Sequence, residues 1–309
     1  METQLPEALL ELIDNPRATD ICLSTSQVSA DCGFGLCAID QLSFTEAELS
    51  DLARELIELG GRRLDQANPF ADVSLPGGLR VHAVLKSACS AETLISIRLH
   101  ATESVPLESL LSKEFANPTQ RELIQEIASS GQSVLITGAT GTGKTTLLRA
   151  MLLESKERVI ALEDVTELTG ANIISLQTKP KNIEGQGEIT LDDLIRQALR
   201  MRPDRICIGE VRGKELISML QALNTGHRGA TTLHANSLEQ VPERLISIAS
   251  AQGLGIEALS RLVPSAFDFV ISLVASAGVR KVSGIGKFSL REGELRVDAL
   301  LRTRKLALA

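Results

Sequence analysis

Residues 133–145, SVLITGATGTGKT, decide the fold class of this chain. The apolar run SVLIT predicts a buried strand, and GATGTGKT (138–145) matches the phosphate-binding pattern G-x-x-x-x-G-K-[ST] at every fixed position. The residues that follow, TLLRAMLLES (146–155), predict a helix. A glycine-rich turn between a strand and a helix directs backbone N–H groups and the positive end of the helix toward phosphate oxygens. The stretch therefore predicts a nucleoside triphosphate site.

The loop and the start of its helix supply the predicted nucleotide-binding residues. Lys144 is expected to reach the β- and γ-phosphates, and the hydroxyl of Thr145 is expected to coordinate Mg²⁺. The full predicted set is Gly138, Ala139, Thr140, Gly141, Thr142, Gly143, Lys144, Thr145 and Thr146.

Predicted strands and helices alternate from residue 118 onwards. This alternation is the signature of a mainly parallel sheet wrapped by helices, which places the chain in the α/β class. Residues 1–100 instead combine short β-rich runs with one well-capped helix and predict a smaller α+β domain. We therefore predict an N-terminal α+β domain of residues 1–100, a linker of residues 101–117, and a P-loop domain of residues 118–309.

A group of carboxylates follows the next predicted strand, which we expect to lie beside the strand that leads into the loop. Glu163, Asp164 and Glu167 belong to the run EDVTE (163–167). Ligands bind at the carboxyl ends of strands in open α/β sheets. These residues are therefore candidates for orienting the attacking water, and Glu163 is a candidate for holding Mg²⁺ through water. Without the neighbouring loop, such a run is more often an ordinary polar exit from a strand.

Glu210 emerges just past another buried strand, in RICIGEVRG (205–213). An NTPase places there the carboxylate that polarises water for in-line attack on the γ-phosphate. The Asp-Glu pair that is usual at this point is absent, because Gly209 precedes the glutamate. Four nearby arginines are expected to surround the site and neutralise phosphate charge, although surface arginines are more often simply solvated: Arg200, Arg202, Arg205 and Arg212.

His234 is expected at the same edge, at the end of the strand in NTGHRGATTLHANS (224–237). A single histidine is more often a satisfied structural group than a catalyst. Its position beside a phosphate site suggests a sensor of the γ-phosphate.

Composition and charge narrow the classes of function. The chain has 309 residues and a net charge of -7, with seven Phe, no Tyr and no Trp. The first 60 residues contain 12 acidic and two basic side chains. Proteins that stack single-stranded bases need aromatic faces, so a nucleic-acid reader is disfavoured. No apolar run reaches the length of about 18–20 residues that a membrane-spanning helix requires, and the acidic start lacks the positive n-region of a secretory signal.

The four motifs, in this order and spacing, resemble the secretion ATPase superfamily of type II and type IV secretion and pilus systems. They correspond to its Walker A motif, Asp box, atypical Walker B motif and His box. The segments LRMRPDRICIGEVRG (199–213) and NTGHRGATTLHANS (224–237) resemble the corresponding segments of the TadA/CpaF branch, which assembles tight-adherence (Flp) pili. They also resemble those of VirB-type conjugation ATPases. Arg228 and Lys179 depart from the usual residues of that branch.

The resemblance implies a RecA-like domain and a ring-shaped homohexamer that hydrolyses ATP with Mg²⁺. It also implies that arginines of the N-terminal domain approach the γ-phosphate, with Arg98 the best match and Arg80 the second candidate. The implied partner is a platform protein of the inner membrane, so the protein is expected in the cytoplasm, peripheral to the cytoplasmic membrane. No direct nucleic-acid partner is expected.

Three other functions remain open at this stage. One is a VirB-type ATPase of type IV secretion or conjugal transfer, and another is a RecA-like DNA translocase. The third is a nucleotide-gated scaffold that does not hydrolyse ATP, against which the presence of Lys144, Glu163 and Glu210 argues.

Overall fold

The computed structural model describes residues 5–32, 35–75, 78–87, 89–99, 105–112, 114–179, 181, 186–276 and 279–302. Contacts within the chain separate a first unit of residues 1–103 and 182–186 from a second unit of residues 104–181 and 187–309, so the main boundary lies at residues 103–104. The boundary lies close to the predicted end of the N-terminal domain.

The described part of the first unit is an antiparallel sheet with a long helix packed on one face. The helix α2 begins at a capping box, in which the Thr45 hydroxyl accepts a hydrogen bond from the Glu48 N–H and the Glu48 carboxylate accepts one from the Thr45 N–H. Apolar residues three and four positions apart give α2 its buried face, which joins the inward-facing side chains of the strands in one core. The elements are α1 (Glu7–Ile13), β1 (Asp20–Leu23), β2 (Val28–Asp31), β3 (Leu36–Ala38), α2 (Glu46–Leu59), β4 (Phe70–Leu75), β5 (Leu79–Val84) and β6 (Leu94–Leu99), in the sheet order β3-β2-β1-β6-β5-β4.

The second unit is built on an eight-stranded sheet in its described residues. The first six strands in chain order pair in parallel, and the last two form an antiparallel hairpin at one side. The sheet order is β14-β13-β12-β7-β11-β10-β8-β9. The strands are β7 (Val134–Thr137), β8 (Val159–Glu163), β9 (Ile173–Gln177), β10 (Arg205–Ile208), β11 (Arg228–Leu233), β12 (Phe269–Ser276), β13 (Val279–Arg291) and β14 (Glu294–Arg302).

Helices cover both faces of this sheet. Leu135 and Ile136 are adjacent on β7 but belong to different buried clusters, because successive side chains of a strand point to opposite faces. The helices are α3 (Leu107–Leu110), α4 (Pro118–Ser130), α5 (Lys144–Glu154), α6 (Leu191–Ala198), α7 (Glu215–Asn224), α8 (Val241–Ala251) and α9 (Ile256–Ala266), with a 3₁₀ turn at Leu238–Gln240. Within the described residues, none of the helices has both the length and the apolarity needed to cross a bilayer.

The strand order corrects one expectation about the site. Strand β8, which ends in Glu163, does not lie beside β7; β11 and β10 stand between them. Ladder hydrogen bonds join β7 to β11 and β8 to β10, so strands that follow each other in the chain are not neighbours in the sheet. Glu163 is consequently on the strand next to β10, after which Glu210 follows.

The predicted linker of residues 101–117 contains a stretch that packs in the second unit. Leu107, Leu111 and Phe115 are buried in the same cluster as Ile136 of β7. The N–H of Val282 in β13 also donates a hydrogen bond to the Phe115 carbonyl, at 2.8 Å. This stretch is part of the core of the second unit.

Candidate functional site

The phosphate-binding loop lies between β7, whose four residues are all buried, and the first turn of α5. Gly143 has a φ of 89°, a backbone conformation that favours glycine. A β-carbon on Gly138 would lie 2.7 Å from the carbonyl oxygen of Leu273, so only glycine fits beside β12 at that point. The Thr142 hydroxyl donates a hydrogen bond to the Ala139 carbonyl at 2.9 Å and closes the loop. Sequence and backbone thus agree on a phosphate cradle.

Lys144 points into this loop and is only 8% exposed. Its ammonium group donates hydrogen bonds to the carbonyls of Gly138 and Ala139, both at 3.0 Å, and contacts Nδ1 of His234 at 3.4 Å. Burial lowers the pKa of Lys144, while the nearby charge of Glu210 acts in the opposite direction. The lysine is therefore held where a phosphate oxygen could replace these acceptors.

His234 connects Lys144 to Glu210. The lysine ammonium can only donate, so Nδ1 of His234 must accept and the ring proton must be on Nε2. That Nε2 lies 3.1 Å from the Glu210 carboxylate. Burial and the charge of Lys144 lower the pKa of His234, which favours this neutral form. The three side chains form a continuous series of polar contacts from the loop to the carboxylate.

Arg212 binds the other oxygen of Glu210 at 2.6 Å. Burial raises the pKa of Glu210, but the hydrogen bond and charge of Arg212, with the charges of His234 and Lys144, outweigh burial and lower the pKa below its usual range. The Glu210 carboxylate is thus ionised, oriented at both oxygens and half-buried. An ionised carboxylate at this place can accept a hydrogen bond from a water and orient it.

Glu163 lies against Gly209, one strand away. Its carboxylate accepts hydrogen bonds from the N–H groups of Glu167 and Leu168 at 3.1 and 3.0 Å. A β-carbon on Gly209 would lie 2.9 Å from the Glu163 Cγ. The residue before Glu210 is therefore small because a carboxyl group from β8 fills the space beside it. The sequence around Glu210 does not reveal this contact. The Asp that usually precedes the glutamate is absent, and a carboxyl group from β8 lies beside Gly209 instead.

Two open clefts flank the Glu210–His234 pair. Glu210 lines one of about 380 Å³, together with Asp164, Thr178 and Arg212. His234 lines the other, of about 470 Å³, together with Ala139 of the loop. Asp164 accepts a hydrogen bond from the Thr178 hydroxyl at 3.1 Å, whereas Glu167 contributes its backbone N–H to Glu163. Thr178 was not predicted, because a threonine after an edge strand carries no motif.

Two of the arginines predicted around the site, Arg212 and Arg205, lie in different places. Arg212 contacts Glu210, but Arg205 stands at the start of β10, whereas Glu210 lies beyond its end. Arg205 is 4% exposed and donates to Glu157 at 2.7 Å and to the Gln132 carbonyl at 2.9 Å. Arg228, at the start of β11, binds the other oxygen of Glu157 at 2.7 Å. The expectation that Arg205 neutralises phosphate charge is therefore wrong, since a strand separates it from the site.

Arg80 and Arg98 are directly opposite each other on β5 and β6 of the first unit. The Arg98 guanidinium donates to Asp20 of β1 at 3.0 Å. Since the phosphate loop belongs to the second unit, their approach to the γ-phosphate stays a prediction.

Comparison with known proteins identifies the family. Residues 35–280 match the family described as type II/IV secretion system protein. The chain belongs to this family. Among the relatives of this secretion-system protein is a putative conjugal transfer protein of Mycobacterium tuberculosis, 37% identical over 97% of the chain and 89% of the relative. Another is the type IV secretion system protein PtlH of Bordetella pertussis, 31% identical over 76% of the chain and 79% of the relative.

Solved structures share the fold of this family member. The Legionella pneumophila ATPase DotB has a TM-score of 0.61 and 24% identity, over 97% of this chain and 81% of that one. The pilus retraction motor PilT with bound ADP has a TM-score of 0.62 and 20% identity, over 96% and 82%. The predicted family resemblance and the predicted fold, a P-loop domain preceded by a smaller domain, are confirmed.

Proposed function

We propose that this protein is an ATPase that drives a secretion, conjugal-transfer or pilus-assembly system. The observation that carries the proposal is the path from Lys144 through His234 to Glu210, which joins a phosphate-binding loop to an oriented carboxylate. Phosphoryl transfer needs little covalent help from the protein, so positioning and charge at the γ-phosphate are sufficient for catalysis.

Each residue has a step that its contacts support. Lys144 exchanges the carbonyls of Gly138 and Ala139 for β- and γ-phosphate oxygens. Glu210 orients the attacking water and accepts its proton, and Arg212 holds the carboxylate during this step.

Mg²⁺ fits the residues at the start of α5. The Thr145 hydroxyl has no hydrogen-bond partner among the described residues, and the open cleft beside Glu210 carries the carboxylate of Asp164. Oxygen ligands of this kind suit Mg²⁺, which neutralises phosphate charge when bound. Glu163 is proposed to act on Mg²⁺ through water, although one of its oxygens already accepts two backbone N–H groups.

The finer assignment is also part of the proposal. We infer a homohexamer that docks on a platform protein at the inner face of the cytoplasmic membrane and powers Flp-type pilus assembly. The sequences of residues 199–213 and 224–237 support the pilus branch. The relative named for conjugal transfer supports the alternative, a VirB-type conjugation ATPase. Genes for pilins beside this gene favour the first, and genes for a conjugation channel favour the second.

Phosphate release by two variants tests the activity. We expect Lys144→Ala to abolish ATP binding, because the substitution removes the buried ammonium group that lies against the loop carbonyls. Glu210→Gln should bind ATP but lower Mg²⁺-dependent phosphate release by about 10²–10⁴-fold, the usual contribution of a general base. Both variants and the wild type are measured by a colorimetric phosphate assay, with bound nucleotide quantified after gel filtration.

Lys156→Ala is the matched control, since Lys156 is an exposed lysine just beyond the other end of α5. It should keep wild-type turnover. Normal turnover in Glu210→Gln would contradict the role of Glu210. The same gel-filtration profile, run with ATP, tests the hexamer.

A further inference from the structure

The order of the strands gives the bound nucleotide a direction. Glu210 and His234 follow β10 and β11, which lie on one side of β7. Strands β12 and β13 lie on the other side. A triphosphate whose γ-phosphate is at Lys144, Glu210 and His234 therefore extends across the loop toward β12 and β13. Its α-phosphate and nucleoside lie at that side.

The hairpin formed by β12 and β13 passes directly against the loop. Pairing between β12 and β7 ends at Ser272 and Thr137, but β12 continues to Ser276 and pairs there with β13. The Leu273 carbonyl is the group that leaves no room for a side chain at Gly138. The extended part of the hairpin is thus a wall beside the phosphate cradle.

Arg280 is the basic residue of this wall. It pairs in register with Ala275, and its Cδ lies 3.6 Å from the position that a β-carbon on Gly143 would occupy. The stem of the side chain therefore runs along the last glycine before α5. Its guanidinium is exposed and makes no hydrogen bond or ion pair with another residue that the structure describes.

The other arginines of β13 and β14 differ from Arg280. Each of Arg291, Arg296 and Arg302 binds an acidic side chain at 2.7 Å. Arg280 instead presents its charge beside a phosphate-binding loop without an acidic partner among the described residues. A guanidinium offers a planar set of donors that matches phosphate oxygens, which is the chemistry this position fits.

We propose that Arg280 binds the α-phosphate of the nucleotide, on the side of the loop away from Glu210. The inference rests on the proposed function, since it assumes that the loop binds ATP and ADP. Because both nucleotides contain the α-phosphate, Arg280 should contribute equally to their affinities and should not act in hydrolysis.

Affinity measurements with three probes test this assignment. For Arg280→Ala, we expect the Kd values of ADP and of ATP to rise by the same factor, about tenfold for a lost charge-assisted hydrogen bond. Inorganic tripolyphosphate, as a competitor, should weaken similarly. Lys281→Ala is the control, because alternation along β13 points Lys281 to the opposite face, and it should match the wild type.

Three results would overturn the proposal. Unchanged affinities for both ADP and ATP in Arg280→Ala would exclude the contact altogether. Weaker ATP binding with unchanged ADP binding would mean that Arg280 contacts the γ-phosphate. Unchanged tripolyphosphate binding would mean that it contacts the base. A wild type that binds ADP but releases no phosphate contradicts the ATPase proposal alone, and the affinities still decide the role of Arg280. A wild type that binds no nucleotide contradicts both.

Discussion

Among single residues, Glu163 is a buried carboxyl group whose ionisation affects the stability of the second unit. Burial raises its pKa from 4.5 to about 7, against the opposing effect of the N–H donors of Leu168 and Glu167. The folded-state pKa lies above the unfolded-state pKa, so folding takes up a proton between these values. The contribution of Glu163 to the free energy of unfolding is therefore largest below about pH 4.5. This contribution is lost as the pH rises through about 7.

We predict that Glu163→Gln flattens this pH dependence. The amide oxygen can still accept the two N–H groups, but it has no charge to desolvate. Near pH 8 the ionised wild-type side chain should cost up to about 3 kcal/mol, at about 1.4 kcal/mol for each tenfold change in proton affinity. Calorimetry of wild type and variant at about pH 5 and pH 8 measures the difference. Parallel changes of the melting temperature in the two proteins would contradict the prediction.

A functional residue can be recognised from the sequence when it belongs to a local motif. Lys144 and Glu210 are recognisable because each stands at a fixed offset from a strand and a glycine. The contact between Glu163 and Gly209 joins residues that are distant in the chain, and the two positions carry no shared pattern. Arg205 misled for the converse reason: it is close to Glu210 in the sequence, but the strand β10 separates the two residues in space.

At the scale of elements, the helices and strands of the second unit follow local periodicity and were predictable. The order of strands was not, since it depends on which ladders form across crossovers; hence β8 was expected beside β7. The stretch before α4 is a similar case. Its apolar side chains are too few to predict a core element, yet Leu107, Leu111 and Phe115 complete the packing on one face of the sheet.

We predict that Phe115→Ala destabilises the second unit strongly. The ring is 7% exposed within the cluster that contains Ile136, so its removal leaves a cavity and costs about 3–5 kcal/mol. Leu290→Ala is the control, because Leu290 is 48% exposed and its loss should cost under about 0.5 kcal/mol. Calorimetry of the two variants measures both effects. Equal melting temperatures would show that residues 107–116 behave as a simple linker.

For the whole molecule, the family resemblance leads us to propose that arginines of the first unit act on the reaction in the second. Arg80 and Arg98 are like charges directly opposite each other on β5 and β6, a pairing that is unfavourable on its own. Asp20 offsets part of this charge through its contact with Arg98. A phosphate anion at this pair would offset the rest, which is a physical reason for two arginines at these positions.

We therefore predict that Arg98→Ala lowers the kcat of phosphate release at least about tenfold, since an arginine at the γ-phosphate stabilises charge in the transition state. ADP has no γ-phosphate, so its Kd should stay within about twofold of the wild-type value. Arg63→Ala is the matched control, because Arg63 is an exposed arginine of the same unit that pairs with Asp65 at 2.6 Å. Steady-state phosphate release and ADP titration separate the two effects. Unchanged kcat in both Arg98→Ala and Arg80→Ala would mean that the first unit supplies no charge to the reaction, and the opposed arginines would then need another anion to explain them.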